Sequence, residues 1–398
     1  MDRPGRSVVI VGYARTPIGS FLGTLSRLAA PQLGAVAIRA ALQRTGLPPE
    51  DVQEVIMGQV IQAGTGQAPA RQAARLAGLP VRVECLTVNK VCGSGLKAIM
   101  LAAQAIRLGD ADVVVAGGME SMSRAPYLLQ RARTGYRLGH GEIHDALILD
   151  GLWDAHYQMH MGNCAEHCAR QLNIGRAAQD EYAAESYRRA LRAIERGDFV
   201  REIVPVEVPD EKGNVQVVTE DEEPRRVRFE KIPTLPPVFD PAGTITAANA
   251  SKINDGAAAV VVTAEEVARD RGLRPIGRVV DFCTAARDPI EFPRAPVDAI
   301  RKLFHRTGLS KDDVDLYEIN EAFASVALGV IQELDLDPGR VNVHGGAIAL
   351  GHPIGASGAR LVCTLLNALT TYQKRFGVVS LCLGGGEAVT LLVERLEG

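Results

Sequence analysis

No apolar run among the 398 residues approaches the roughly 20 residues of a membrane span, so no membrane-spanning helix is expected. Residues 1–6 pass into the apolar run Ser7–Gly12 without a signal-like segment, and a cytoplasmic location is the matching expectation. The formal net charge is −3, with basic and acidic residues mixed along the whole length. There is therefore no basic stripe to suggest a nucleic-acid partner. The seven cysteines (Cys85, Cys92, Cys164, Cys168, Cys283, Cys363 and Cys382) are odd in number and scattered. That excludes a secreted disulfide scaffold and points to free thiols in a reducing compartment. Gly64-Thr65-Gly66 lacks the strand-to-helix fingerprint and acidic partner of a dinucleotide site. His156, His160, Cys164, His167 and Cys168 lie close together, but at spacings that match no closed zinc site.

What the chain does have is alternation of apolar runs with helical periodicity. A strand is predicted over 8–12, a helix over 33–42 stopped by Gly46, a strand over 54–58 and a helix over 68–77. The strand 81–88, the helix 96–108 and the strand 112–116 ending at Gly117-Gly118 follow. Such order is that of a parallel or mixed α/β sheet. From 124 to about 250 the texture changes to Pro, Gly and charge clusters with a helical stretch over 180–195. This reads as an inserted, loop-rich substrate domain, with a disordered linker as the blander alternative.

An internal repeat then emerges. Residues 37–47, AIRAALQRTGL, followed by Asp51-Val52, are echoed in register by 299–309, AIRKLFHRTGL, followed by Asp313-Val314. Val88-Asn89 is matched by Val341-Asn342, and the strand from Val113 by one from Val378. The chain is read as a duplicated α/β half with an insertion in the first copy.

Several residues could carry chemistry. Cys92 sits in a glycine-rich turn at a helix N-terminus, where the macrodipole favours a thiolate; alone, it could equally be a buried small hydrophobe. His352, between Gly351 and Pro353, could serve a thiol as general base or could be structural. Asn320-Glu321 follows the strand 316–319, where α/β proteins place ligands. Asn320 could hold an oxyanion-stabilising water, or the pair could merely cap the next helix. Cys382 precedes Gly384-Gly385-Gly386, whose N–H groups could form an anion nest; a buried strand cysteine is the alternative.

These stretches, VNKVCGSGLKA around Cys92, AGGMESMS at 116–123, HMGNCAE at 160–166, TAANAS at 246–251, NEAF at 320–323, GHPIGASGA at 351–359 and CLGGG at 382–386, resemble the thiolases end to end. The resemblance implies an α/β thiolase fold, with two βαβαβαββ halves in a five-layered α-β-α-β-α core. The halves would be 1–123 with 251–273 and 274–398, and 124–250 would be a loop domain for coenzyme A and oligomer contacts. It further implies that His352 activates Cys92, which becomes acylated, while Cys382 exchanges the proton at the acetyl-CoA carbon. One oxyanion hole would be His352 with a water on Asn320, and the other the N–H groups of Cys92 and Gly384.

GSFLGTLS at 19–26, EDEEPRRVRFEKIP at 220–233 and EFPRAP at 291–296 look like the acetoacetyl-CoA branch of that family. The implied activity is reversible condensation of two acetyl-CoA into acetoacetyl-CoA, within fatty acid and ketone body metabolism, by a homotetramer without a prosthetic group. Coenzyme A would lie on Arg226, Val227, Lys231 and Ser251, with His160 beside the pantetheine. A potassium activator would match Tyr187, Ala247, Ala248, Ala250 and Ile348, mostly through backbone oxygens. Arg228 and Glu387 depart from the pattern; Glu387 is expected either to perturb Cys382 or to point to solvent. Competing readings are a degradative 3-ketoacyl-CoA thiolase of longer chain length, a decarboxylating ketoacyl synthase, and an inactive lipid-binding or scaffolding relative.

Overall fold

A computed structural model describes residues 5–396; the extreme ends of the two expected halves, 1–4 and 397–398, lie outside the described residues. The principal elements are β1 (Val8–Arg15), α1 (Ala30–Gln43), β2 (Glu54–Gly58), α2 (Pro69–Leu76), β3 (Glu84–Val88), α3 (Ser94–Leu108) and β4 (Val113–Ser121). Then come α4 (Met161–Gln171), α5 (Arg176–Glu195), β5 (Asn254–Ala264), β6 (Gly277–Ala286) and α6 (Ala295–Thr307). The chain closes with β7 (Leu316–Ile319), α7 (Ala324–Leu334), α8 (Ser357–Thr371), β8 (Phe376–Leu383) and β9 (Glu387–Arg395).

The strands form one mixed sheet in the order β7-β8-β9-β6-β1-β5-β4-β2-β3, with Gly19–Ser20 as a short tenth strand against β5. Pairing of β2 with β3 and β4, and of β7 with β8, is parallel, and the remaining pairs are antiparallel. Counted within each half, the first reads 3-2-4-5-1. The second repeats that order, except that its third strand has shrunk to a single parallel bridge between Tyr317 and Val341. The duplication read from 37–47 and 299–309 is therefore a duplication of topology. Within the sheet the halves are joined, among the described residues, by the pairs Val9 with Arg278 and Ile10 with Gly277.

Helices α3 and α8 pack on each other between the two half-sheets, with α1 and α2 outside the first and α6 and α7 outside the second. This gives five layers, α-β-α-β-α. Strands covered on both faces must be apolar throughout rather than alternating, and β1, β4, β5 and β9 are buried almost end to end. The same placement explains the 18-residue stretch Val91–Leu108, which contains α3 and is apolar enough to pass for a membrane span, yet is lodged at the centre of the molecule. α3 and α8 cross closely because Gly358 faces α3: a Cβ there would stand 2.3 Å from the Leu96 nitrogen.

One boundary differs from the sequence reading. Gly117 and Gly118 do not end β4, which runs on to Ser121. They are where the neighbouring chain comes closest: a Cβ on Gly117 would meet Ala258 O at 2.1 Å and one on Gly118 would meet Gly355 O at 2.1 Å. Glycine permits these approaches inside a strand, so here it marks packing and not a turn. After β4 the chain leaves the sheet, forms α4, α5 and several short turns, and re-enters as β5 between β1 and β4. The excursion is ordered and has its own apolar clusters, among them Ala183, Tyr187 and Ala190 with Ile348.

Candidate active site

The site forms where equivalent ends of the two halves meet. Cys92 lies in the turn from β3 to α3, and His352 in the turn before α8. Asn320 follows β7, and Cys382 and Gly384 stand at the tip of the β8–β9 hairpin. Val91, next to the nucleophile candidate, has φ of 45°, a strained conformation for a β-branched residue. The turn is held by Ser94, whose hydroxyl accepts from Lys90 N at 2.8 Å and donates to Val91 O at 2.6 Å.

Cys92, His352 and Gly384 line one cavity of about 280 Å³, with Met122, Leu152, His160, Met161, Phe239, Ala250, Ser251, Lys252, Phe323 and Ile354. Cys382, 1% exposed, lies behind it, among Met161, Ala250, Phe292 and Phe323. The N–H of Gly384 and that of Cys92 itself point at the Cys92 sulfur. The helix N-terminus does not make Cys92 a resting thiolate. Burial pushes its thiol up to about 12, and the two N–H groups only partly offset this. Burial also holds Cys382 well above its ordinary range, and the proximity of Cys92 adds to the effect.

His352 has a defined tautomer. The Ser357 hydroxyl donates its only proton to Pro353 O at 2.9 Å, so at 2.6 Å from His352 Nδ1 it must accept. Nδ1 therefore carries hydrogen and Nε2 presents a lone pair, toward which Asn320 Nδ2 lies at 3.3 Å. Burial, with Arg360 as the second cause, lowers the imidazole to about 3, so at neutral pH it is an uncharged base. The backbone of the turn is fixed as well. Asn254 Oδ1 accepts from His352 N at 2.9 Å, and Glu120 Oε2 accepts from both Gly355 N and Val60 N at 2.9 Å. Asn320 Oδ1 is buried with no partner among the described residues, the situation in which an ordered water is expected.

The other candidates fall into place around this centre. His160 caps α4 through Nδ1, which accepts from Gly162 N at 3.0 Å, and stacks on Phe239 with centroids 4.7 Å apart. Glu321 does not cap α7, whose N-cap is Phe323. Its carboxylate accepts from Tyr182, Ser186, Asn342 and Ile348 N at 2.7–3.1 Å, tying the NEAF segment to α5. Arg226, Val227, Arg228 and Lys231 line a second hollow of about 240 Å³ with Tyr187, Glu223, Ala247 and Ala248. Lys252 borders both hollows. Its ammonium donates to Ala247 O at 2.5 Å and to Ala250 O at 2.9 Å, and burial lowers it to about 8 against the opposing effect of Glu223. Glu387 neither approaches Cys382 as a perturbing charge nor stands free in solvent: it pairs with Lys90 across the two halves.

Sequence reasoning missed Ser357, Asn254, Glu120, Phe239 and Lys252. Glu120 left a signal, a lone carboxylate in an otherwise apolar strand; Asn254 and Lys252 left none.

A shielded thiol, a neutral imidazole of fixed tautomer and N–H donors on a glycine loop define an acyl-transfer type of site in a duplicated α/β fold. The sequence places the chain within a family. Residues 8–266 match the model for the N-terminal domain of thiolase and residues 273–395 that for the C-terminal domain, and the chain belongs to the thiolase family. It is 51% identical over 390 residues to the mitochondrial acetyl-CoA acetyltransferase of Rattus norvegicus, covering 98% of this chain and 91% of that one. It is 51% identical over 389 residues to the acetyl-CoA acetyltransferase of Cupriavidus necator, covering 98% and 99%. A crystal structure of a thiolase from Ascaris suum in complex with coenzyme A superposes with a TM-score of 0.93 at 46% identity, covering 98% of this chain and 100% of that one.

Proposed function

We propose that the chain is an acetyl-CoA C-acetyltransferase, which reversibly joins two acetyl-CoA into acetoacetyl-CoA and free coenzyme A through an acetyl group on Cys92. One observation carries the reading: His352, with its lone pair on Nε2, lines the same cavity as Cys92 and Gly384. The two relatives bearing that name, each similar along nearly its whole length, support it.

The proton affinities dictate the order of events. A thiol near 12 and an imidazole near 3 do not form an ion pair at rest, so the proton moves as the sulfur attacks. His352 Nε2 takes the proton, Cys92 Sγ bonds to the thioester carbon, and the coenzyme A thiolate leaves with the proton of the Cys382 thiol, which becomes a thiolate while His352 keeps its hydrogen on Nε2. A second acetyl-CoA then loses a methyl proton to the Cys382 thiolate. Its enolate carbon attacks the acetyl group on Cys92, and the departing Cys92 thiolate recovers its proton from His352 Nε2. Each step concentrates charge on a different oxygen, so two donor sets are needed. The N–H groups of Cys92 and Gly384 suit one. His352 with a water on Asn320 suits the other.

The stacked His160–Phe239 pair and Ser251 would flank the pantetheine, and Arg226 and Lys231 would face the nucleotide phosphates. In this reading residues 124–250 supply the coenzyme A cradle. The working unit would be a homotetramer. Exposed Leu86 on the edge strand β3 and Val81 in the turn before it, together with Tyr127, Leu129, Leu138 and Ile143 in the excursion, are apolar surface of the kind that subunits cover.

The test is coenzyme A-dependent cleavage of acetoacetyl-CoA against 3-ketoacyl-CoA of increasing chain length. Fastest turnover of the shortest substrate is expected. Preference for long chains would make the enzyme a degradative 3-ketoacyl-CoA thiolase, and cleavage of none would remove the thiolase activity altogether.

A further inference from the structure

The backbone oxygens that the family resemblance assigns to potassium do not fit a second cation in this chain. Two of them, Ala247 O and Ala250 O, are already hydrogen-bonded by the Lys252 ammonium at 2.5 and 2.9 Å. The same ammonium lies 6.0 Å from the centre of the Tyr187 ring, a cation–π arrangement, and Tyr187 is another of the implied ligands. Carbonyl oxygens turned toward an aromatic face make a cation site whatever the cation, and here the cation is covalently part of the chain. A potassium ion sharing those oxygens would meet a like charge at hydrogen-bonding range, with Glu223 the one acid lining the hollow.

The position gives this tether a consequence. Ala250, Ser251 and Lys252 form a wall of the reaction cavity, while Ala247, Ala248 and Lys252 line the basic hollow with Arg226 and Lys231. Residues 247–252 are thus the partition between the expected acyl and nucleotide ends of coenzyme A. The segment lacks a strand ladder of its own. It is held by Ser251 N donating to Ala322 O at 2.9 Å, by Asn249 Nδ2 bonding Asp180 at 2.9 Å, and by the ammonium that gathers its carbonyls from the open side.

We propose that Lys252 is a built-in monovalent cation that holds the 247–252 partition in its substrate-binding shape, making the enzyme independent of potassium. The proposal rests on the acyltransferase reading only for its activity assay. Lys252 acts here as a positioning residue: it shapes the wall and takes part in no bond-making step.

The experiment compares the full-length protein with Lys252→Thr, which frees the carbonyls and leaves room for an ion, and Lys252→Met, which keeps the stem without the charge. Acetoacetyl-CoA thiolysis and thermal unfolding are measured in potassium chloride and in choline chloride at equal ionic strength. The unaltered protein should give the same KM for coenzyme A and the same Tm in both salts. In choline, Lys252→Thr should show a KM about tenfold higher, the size expected on losing a charged hydrogen bond. Potassium should restore that KM and raise the Tm of Lys252→Thr, and should do neither for Lys252→Met. Activation of the unaltered protein by potassium would overturn the proposal, as would a Lys252→Thr variant indifferent to both the substitution and the salt. Absence of thiolysis in every salt, with the Tm responses as described, would instead sink the activity and leave the cation site standing.

Discussion

His352 Nδ1 and Ser357 Oγ stand 2.6 Å apart, and because the hydroxyl donates to Pro353 O it accepts from Nδ1 and leaves the imidazole lone pair on Nε2, the nitrogen that Asn320 Nδ2 faces at 3.3 Å. Both lie within five residues, across the turn that opens α8, so the base is set by the same local geometry that starts the helix. Ser357→Ala should leave the fold intact and lower kcat about 10- to 100-fold, the range for partners that orient a functional imidazole, with KM little changed. Steady-state thiolysis checks it. An unaltered kcat would mean that the tautomer is fixed by something other than Ser357.

The two cysteines should separate cleanly. Cys382→Ala should still acquire an acetyl group from acetyl-CoA but fail to exchange its methyl protons with deuterated water. Cys92→Ala should do the reverse of the first, forming no acetyl-enzyme at all. Exchange undiminished in Cys382→Ala would remove that residue from the proton-transfer step.

Glu120 joins the halves from within. Burial raises its carboxyl to about 7, while three backbone N–H groups, of Val60, Ile61 and Gly355, oppose the shift. Glu120→Gln would turn an amide NH₂ toward donors and should cost about 2 kcal/mol of stability, the scale of a buried unsatisfied group. Loss of support for Gly355 should also depress kcat. Denaturant unfolding and thiolysis measure the two effects independently.

Acid should destabilise the protein partly through His352. Its folded value is lowered to about 3 against an ordinary 6.5, so between those values the unfolded chain binds a proton that the native state refuses. The stability associated with the neutral imidazole is present above about 6.5 and is lost as pH falls toward 3. Glu318 has the opposite sign: burial raises it to about 8, so its contribution is present below its ordinary 4.5 and is lost as pH rises through 8. The Arg360 guanidinium at 3.6 Å does not reverse this, since none of its nitrogens has a hydrogen-bond partner among the described residues. Urea unfolding of His352→Asn should show a flatter acid limb between pH 6.5 and 4 than the unaltered protein. An identical acid limb would place the proton uptake on other groups.

The Lys90–Glu387 pair links the loops of the two halves beside the site, yet both partners are partly exposed, 23% and 38%. Exposed pairs contribute little. Glu387→Gln should change kcat less than about fivefold, an effect on the scale of 1 kcal/mol or less. A larger loss would show that this clasp positions Cys92.

How much of this was legible in the sequence depends on range. Cys92, His352, Asn320 and Cys382 announce themselves because each sits beside glycines or at the end of an apolar run, both local signals. The repeat between 37–47 and 299–309 made the two-half architecture readable, because it preserves register. The third strand of the second half was not readable, since Val341 makes only a one-residue bridge. Gly117 and Gly118 misled for the same reason that Asn254 and Lys252 stayed hidden. Their roles are set by Ala258, Gly355, His352 and Ala247, contacts that no local pattern encodes.

The central claim is that Cys92 and His352, one from each half, form a single acylating unit. The most direct measurement is mass-spectrometric peptide mapping after brief incubation with isotopically labelled acetyl-CoA, for the unaltered protein, Cys92→Ala and His352→Ala. The account predicts the label on the Cys92 peptide alone, none in Cys92→Ala, greatly slowed labelling in His352→Ala, and discharge of the label into acetoacetyl-CoA when more acetyl-CoA is added. A label on any other residue, or one formed at full rate without His352, would contradict it.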